Sequence, residues 1–177
     1  MPLIRPAELR DVAAVADIYD EAVRHGTASF EIEPPGQTEM RRRYEALRAG
    51  GYPFLVAEAG SSVIGYAYAG PYRARPAYHW TVEDSIYVAP QSQRLGVGRA
   101  LLARLLADAQ GSGFRQMIAV IGDSANSASV ELHRVAGFRL VGTFDNVGYK
   151  FGQWLDSVLM QRSLGPGAAT APDTTVP

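Results

Sequence analysis

The sequence predicts a single α/β domain of the α+β type, built on a mixed, mostly antiparallel central sheet of about seven strands with helices on both faces. Three observations lead there. The chain has 177 residues, of which 47% are hydrophobic and 20% charged, the balance of one globular domain able to bury its own core. Some segments carry apolar residues at helical spacing, whereas others alternate or run continuously apolar. Their order is helices first, then a hairpin, then strand, helix, strand, helix, strand and strand.

The elements follow in turn. Leu3 to Arg5 reads as a short strand closed by Pro6. From Glu8 to Arg24, Val12, Val15, Ile18, Ala22 and Val23 fall on one helix face, and Gly26 ends that helix. The stretch TASFEIEPPG (Thr27 to Gly36) is rich in turn residues, and its double proline argues against regular structure. Gln37 to Ala49 is a second helix with Met40, Tyr44 and Leu47 as its apolar stripe, stopped by Gly50 and Gly51. YPFLVAEA and SVIGYAYAGPY form a hairpin across Gly60 and two serines. TVEDSIYVAP is a strand. A helix follows from about Gly98 to Gln110, then a buried strand, RQMIAVI, and a helix within NSASVELHRVAGF that ends at Gly137. FRLVGTFD and QWLDSVLMQRSL complete residues 1–164. The last stretch, 165–177, has almost no apolar content and reads as a disordered tail.

Bulk properties narrow the function. A formal net charge of −1 offers no electrostatic reason to bind nucleic acid or an anionic membrane. The chain has no cysteine, which excludes disulfides, thiolate nucleophiles and zinc–cysteine clusters. His25, His79 and His133 are too scattered to suggest a metal site by spacing. MPLIRPAELRD lacks the charged and apolar regions of a leader, and no apolar run is long enough to span a bilayer. A cytoplasmic location is the expectation.

The chemistry-bearing motif is SQRLGVGRALLARLL, Ser92 to Leu106. Two glycines one residue apart open a leucine-rich helix. No GK[ST] follows at Walker spacing. A dinucleotide fingerprint fares no better, since Leu101 holds the third glycine position and Ile118 and Val120 lie where a ribose-binding acid is wanted. What remains is a loop able to turn several backbone N–H groups, backed by a helix dipole, toward one anion. A plain strand-to-helix turn is the competing reading of the loop by itself.

QRLGVG resembles the Q/R-x-x-G-x-G signature with which GNAT-superfamily acetyltransferases hold the pyrophosphate of acetyl-coenzyme A. NSASVELHRVAGF, opening at Asn126, resembles the second part of that signature. TASFEIEPP, AYAGPYRARPAYHWTVEDSIYV, AVIGDSANSASVELH and GYKFGQWLD are similar to the phosphinothricin N-acetyltransferase branch. The resemblance spans nearly all of 1–164. It implies the GNAT fold, acetyl-coenzyme A as co-substrate without a metal, and a small amino acid as acceptor.

It also implies roles. Glu83 is the base that takes a proton from the attacking amine; by strand alternation it shares a face with Thr81 and Ser85. Read without the resemblance, Glu83 is a surface strand residue. The amides of Ile86, Tyr87 and Val88 bond the pantetheine arm and the acetyl carbonyl. Arg94, Leu95, Gly96, Val97, Gly98 and Arg99 surround the pyrophosphate. Asn126 bonds the pantetheine arm, caps its helix, or does both. His133 stands where the broad superfamily commonly has a tyrosine, and as a histidine it can protonate the departing thiolate or assist the amine. Arg73 and Arg75 offer forks to the acceptor's anionic groups, and Phe30 and Tyr78 form apolar walls. Tyr149 and Lys150 lie in a segment that approaches the partner subunit in the family, which implies a homodimer. Three alternatives stay open at this point: a GNAT enzyme for a peptide N-terminus, polyamine or aminoglycoside, a non-catalytic acetyl-coenzyme A sensor, and a nucleotide-dependent oxidoreductase.

Overall fold

The computed structural model describes residues 2–173. β1 (Leu3–Pro6) passes through a short 3-10 turn into α1 (Val12–His25), and α2 (Gly36–Ala49) follows after an irregular stretch. β2 (Phe54–Ala59) and β3 (Ser62–Pro71) make the hairpin, and β4 (Thr81–Val88) comes next. α3 (Val97–Gly111), β5 (Gln116–Gly122), α4 (Ser127–Val135), β6 (Arg139–Lys150) and β7 (Gln153–Ser163) complete the domain. All strands join one seven-stranded sheet in the order β1-β2-β3-β4-β5-β7-β6. Only β4 and β5 run parallel; the other pairs are antiparallel.

Strand alternation sorts the side chains into two layers. Phe54, Val56 and Tyr66 face α1 and α2, where Val15, Val23 and Met40 are buried against them. Leu55, Ala57, Ala67, Val82, Met117 and Ala119 face α3, which buries Leu101, Leu102 and Leu105. Each of those leucines, withdrawn from water, contributes roughly 1.5–3 kcal/mol. On β4 the same alternation turns Val82, Asp84, Ile86 and Val88 toward α3 and α4. Glu83, Ser85 and Tyr87 are turned toward α1 and α2.

One expectation needs correction. The strand read from FRLVGTFD does not stop near Asp145 but continues to Lys150. Asn146 absorbs the irregularity at φ 54°, and its N–H bonds Asp156 Oδ1 at 2.9 Å in place of a ladder partner. Residues 165–173 turn back onto Arg115, whose guanidinium donates to the carbonyls of Gly167 and Ala171 and to Thr170 Oγ1. Two of the three acceptors are backbone carbonyls, which any residue type supplies, and the expectation for 174–177 lies outside the described residues.

Candidate active site

The site begins where the sheet divides. β4 and β5 pair from Thr81 opposite Gln116 to Asp84 opposite Ala119, and no further. β4 runs on to Val88 still paired to β3, while β5 runs on to Gly122 still paired to β7. From Ser85 to Val88 one edge of β4 therefore lacks a strand partner. Such an edge can bond an extended ligand arm as a further strand would. Ile86 and Val88 turn their N–H groups to it, whereas the register turns the Tyr87 N–H to β3, opposite Tyr66.

The glycine loop closes the open end of this fork. Gln93 Nε2 donates to the Val88 carbonyl at 3.3 Å, fastening the loop to the strand. Arg94 at φ 60° and Gly96 at φ 82° both take the left-handed conformation. Alternating backbone handedness of this kind turns successive N–H groups into one concavity, here at the N-terminus of α3. A side chain at Gly96 would meet open space, so its glycine is required by the backbone angle. Gly98 is different. A Cβ there would make ordinary contacts, 3.5 Å to Leu132 and 3.8 Å to Val88, so the fold tolerates one. Val97 is buried between them, and Arg94, Leu95 and Arg99 are exposed around the concavity.

Glu83 lies one residue before the fork, half-buried. Burial, with repulsion from Asp84 second, pushes its carboxyl up to about 7 from an ordinary 4.5. A carboxylate that changes charge near neutrality is matched to taking and releasing a proton.

His133 is placed otherwise than expected for a proton donor to the thiolate. It is 4% exposed, and both ring nitrogens are engaged: Nδ1 with the Ser129 carbonyl at 2.7 Å, Nε2 with Asp84 Oδ2 at 2.9 Å. Its apolar setting opposes the charged ring, but Asp84 and the Ser129 carbonyl outweigh it and the pKa is raised. A ring held on both sides hands over no proton without losing a buried bond. Asn126 caps α4, its Oδ1 accepting the Ser129 N–H at 3.2 Å. Its Nδ2 has no partner among the described residues and is available to a ligand.

The residues expected around an acceptor fall into two groups. Arg73 stacks on Tyr72 and Tyr78, 5.1 and 5.8 Å from their ring centres, on the loop that leads into β4. Arg75 is exposed nearby, before a 3-10 turn at Pro76–Tyr78. Phe30 is at the other end, over Gly122 and Gly148, where any Cβ would collide with its ring. Gly122 shares the sheet face of Glu83, so Phe30 and the arginine loop flank that carboxylate along the strands. Tyr149 is exposed and meets Trp154 edge-on at 5.2 Å. Lys150 does not reach out to a partner: its Nζ is buried in its own chain, donating to Gly26 and Ser29 carbonyls.

Three features carry no signal in the sequence. Asp84 reads as one more polar strand residue. The anchoring of Thr27 to Phe30 by Lys150 spans more than a hundred residues. The third is the set of neighbouring contacts of that loop: Thr27 Oγ1 donates to Asp123 at 2.8 Å across ninety-six residues, while Glu31 accepts from Tyr19 at 3.1 Å and from Arg43 at 2.7 Å.

Comparison with known proteins agrees with this geometry. Residues 4–159 match the model of the acetyltransferase (GNAT) domain family. The phosphinothricin N-acetyltransferase of Alcaligenes faecalis is 50% identical over 92% of this chain and 83% of its own length. The L-methionine sulfoximine/L-methionine sulfone acetyltransferase of Salmonella typhimurium is 41% identical over 94% of this chain and 96% of its own. A crystal structure of a phosphinothricin acetyltransferase from Sinorhizobium meliloti in complex with acetyl-coenzyme A superposes with a TM-score of 0.96. It is 44% identical and covers 99% of this chain and 95% of its own.

Proposed function

This chain belongs to the GNAT acetyltransferases, and on that premise we propose that it moves an acetyl group to the α-amino group of a small amino acid such as phosphinothricin or methionine sulfoximine or sulfone. It is an acetyl-coenzyme A-dependent N-acetyltransferase. The observation that carries the substrate reading is the placing of Glu83, a carboxyl tuned to about 7, between an exposed arginine loop and the fork of the sheet. An α-amine is mostly protonated at neutrality and must lose a proton before it attacks.

The fit of acetyl-coenzyme A to these residues rests on the loop and the strand edge. The concavity of Arg94 to Arg99 has N–H groups and flanking guanidinium groups for a pyrophosphate, and Gly98 leaves its surface bare where the fold does not need it bare. The free edge from Ser85 to Val88 suits the amide-bearing pantetheine arm, with Asn126 Nδ2 across from it. Acetyl-coenzyme A supplies the electrophilic thioester; the chain does the rest. Glu83, ionised above about pH 7, accepts the amine proton directly or through water. The amides of Ile86 and Val88, turned away from β3, donate toward the carbonyl oxygen as charge gathers there; one such donor is worth about 3 kcal/mol in proteases. Arg73 and Arg75 hold the acceptor's carboxylate and, in phosphinothricin, its phosphinate, and Phe30 and Tyr78 bound its apolar part. His133 acts through Asp84 and α4 rather than by touching the thiolate.

A homodimer is part of this reading. Leu140, Phe144, Val147, Tyr149, Phe151 and Trp154 are each more than half exposed along the β6–β7 hairpin. An apolar edge strand of this kind is a liability in a monomer and is covered by a second copy in a two-fold pair.

The test is a thiol-release assay with acetyl-coenzyme A against phosphinothricin, methionine sulfoximine, methionine sulfone, spermidine and a peptide N-terminus. The chain itself contributes no thiol. The three amino acids are expected to be acetylated with at least tenfold higher kcat/KM than spermidine or the peptide. Preference for spermidine or the peptide would overturn the acceptor class. Tight cofactor binding with no acceptor at all would indicate a sensor.

A further inference from the structure

Asp84 touches neither reactant in the reaction as described, yet it stands where the two central strands part. It is the last residue of β4 paired to β5, opposite Ala119, and on its other side it faces Ala69 of β3. One residue later the strands part. The carboxylate is buried, 2% exposed, with Oδ2 on His133 and Oδ1 without a partner among the described residues. A charge buried at a strand junction costs several kcal/mol unless something compensates it.

The hydrogen bonds count the protons. The Ser129 carbonyl only accepts, so the His133 nitrogen that meets it, Nδ1, carries hydrogen. Nε2 then meets a carboxylate oxygen, and that bond needs one proton between the two groups. The ring holds that proton, since Asp84 and the Ser129 carbonyl raise its pKa, and the cationic ring with the carboxylate is neutral overall. Removing it would leave a bare buried anion next to Glu83.

We propose that Asp84 is a positioning residue for acetyl transfer: with His133 it ties α4 to the root of the β4–β5 fork and keeps the charge beside Glu83 compensated. The proposal rests on Glu83 being the base. The tie matters to geometry because α4 carries Asn126 at its start and Leu132, which packs 3.5 Å from where a Gly98 Cβ would stand. Both ends of the cofactor site therefore move with His133. It matters to charge because Asp84 and Glu83 are successive residues on opposite sheet faces, close enough for one carboxylate to oppose ionisation of the other.

The other groups around the two sites leave this pair as the adjustable one. On the face of Glu83, Tyr68 of β3 is the titratable neighbour, with Glu31 and Arg43 beyond it bonded to each other. Across β5 the paired residue is Ile118. On the face of His133 stand the Phe138 ring edge at 5.0 Å and Arg162 of β7, whose guanidinium is bound to the Ala136 carbonyl. Glu131 and Arg134 of α4 pair with each other in solvent.

The test is the pH dependence of kcat/KM for the amino acid in wild type, Asp84→Asn, His133→Gln and Glu83→Gln. Asp84→Asn removes the like charge and keeps a hydrogen bond to a neutral ring; its acid limb should move down by about half a pH unit or more. His133→Gln keeps a donor but no cation, so its limb should move up by a similar amount. Opposite shifts are the signature, because a purely structural loss lowers kcat and leaves the limb in place. Two folded variants whose limbs coincide with wild type would overturn the proposal while leaving Glu83 as base. A wild-type limb retained in Glu83→Gln would overturn the base itself. Should either variant fail to fold, nitrogen-15 spectra of histidine-labelled wild type, assigned with the exposed His25→Gln and His79→Gln, give the same answer. Nε2 of His133 should remain bonded to hydrogen at pH 7; a bare Nε2 at pH 6 would overturn the pairing.

Discussion

Lys150 Nζ lies 2.8 Å from the carbonyl oxygen of Ser29 and 2.9 Å from that of Gly26. The only lysine of the chain thus fastens the irregular loop after α1 to the end of β6. Phe30 is carried on that loop, over Gly122 and Gly148. Lys150→Met should leave two buried carbonyls unpaired and lower stability by about 1–3 kcal/mol. With Phe30 loosened, KM for the amino acid should rise several-fold while the acetyl-coenzyme A dissociation constant stays unchanged. Denaturant unfolding and steady-state kinetics measure the two effects, and an unchanged KM would detach this loop from the acceptor site.

The two glycines of the loop should respond differently. Gly96 sits at φ 82°, where a β-branched residue is strained, so Gly96→Val should cost stability as well as cofactor affinity. Gly98→Ala meets only ordinary contacts, so it should fold as wild type does. Any loss of affinity there reports on the ligand, and Gly98→Val should raise the dissociation constant by about tenfold or more. Calorimetry that finds both variants binding normally would remove the loop from the cofactor site.

Glu83 should also leave a mark on stability. Its folded pKa, about 7, is raised above the ordinary 4.5. The folded state therefore holds the proton more tightly than the unfolded chain between those values. Stability from this group is complete below about pH 4.5 and is lost as pH rises through about 7. Glu83→Gln, which never ionises, should melt above wild type at pH 8, and the gain should shrink toward pH 5. A difference independent of pH would mean that the carboxyl is not desolvated as described.

For the dimer, Phe144→Glu places a charge on the apolar hairpin and should convert a two-fold assembly into monomer in sedimentation velocity at micromolar protein. A wild-type chain that already sediments as a fully active monomer would refute the assembly.

The sheet, its helices and the cofactor loop were legible in the sequence because each is a local pattern: alternation in TVEDSIYV, helical spacing from Val12 to Val23, glycines opening a leucine-rich helix. The fork was not legible, since it depends on where β5 stops pairing with β4. His133 was visible as a chemical group but not in its setting, because Asp84 lies forty-nine residues away. The bonds of Lys150 were not legible for the same reason: its partners are more than a hundred residues distant.

The pH profile of Glu83→Gln tests the central claim most directly. Wild type should show kcat/KM falling below about pH 7, where Glu83 takes up its proton. The variant keeps the shape but not the basicity, so it should lose about 100-fold at neutral pH. Its rate should recover partly at high pH, where the amine arrives neutral, and acetyl-coenzyme A affinity should stay at the wild-type value. A variant that turns over at the wild-type rate, with the same acid limb, would contradict the account.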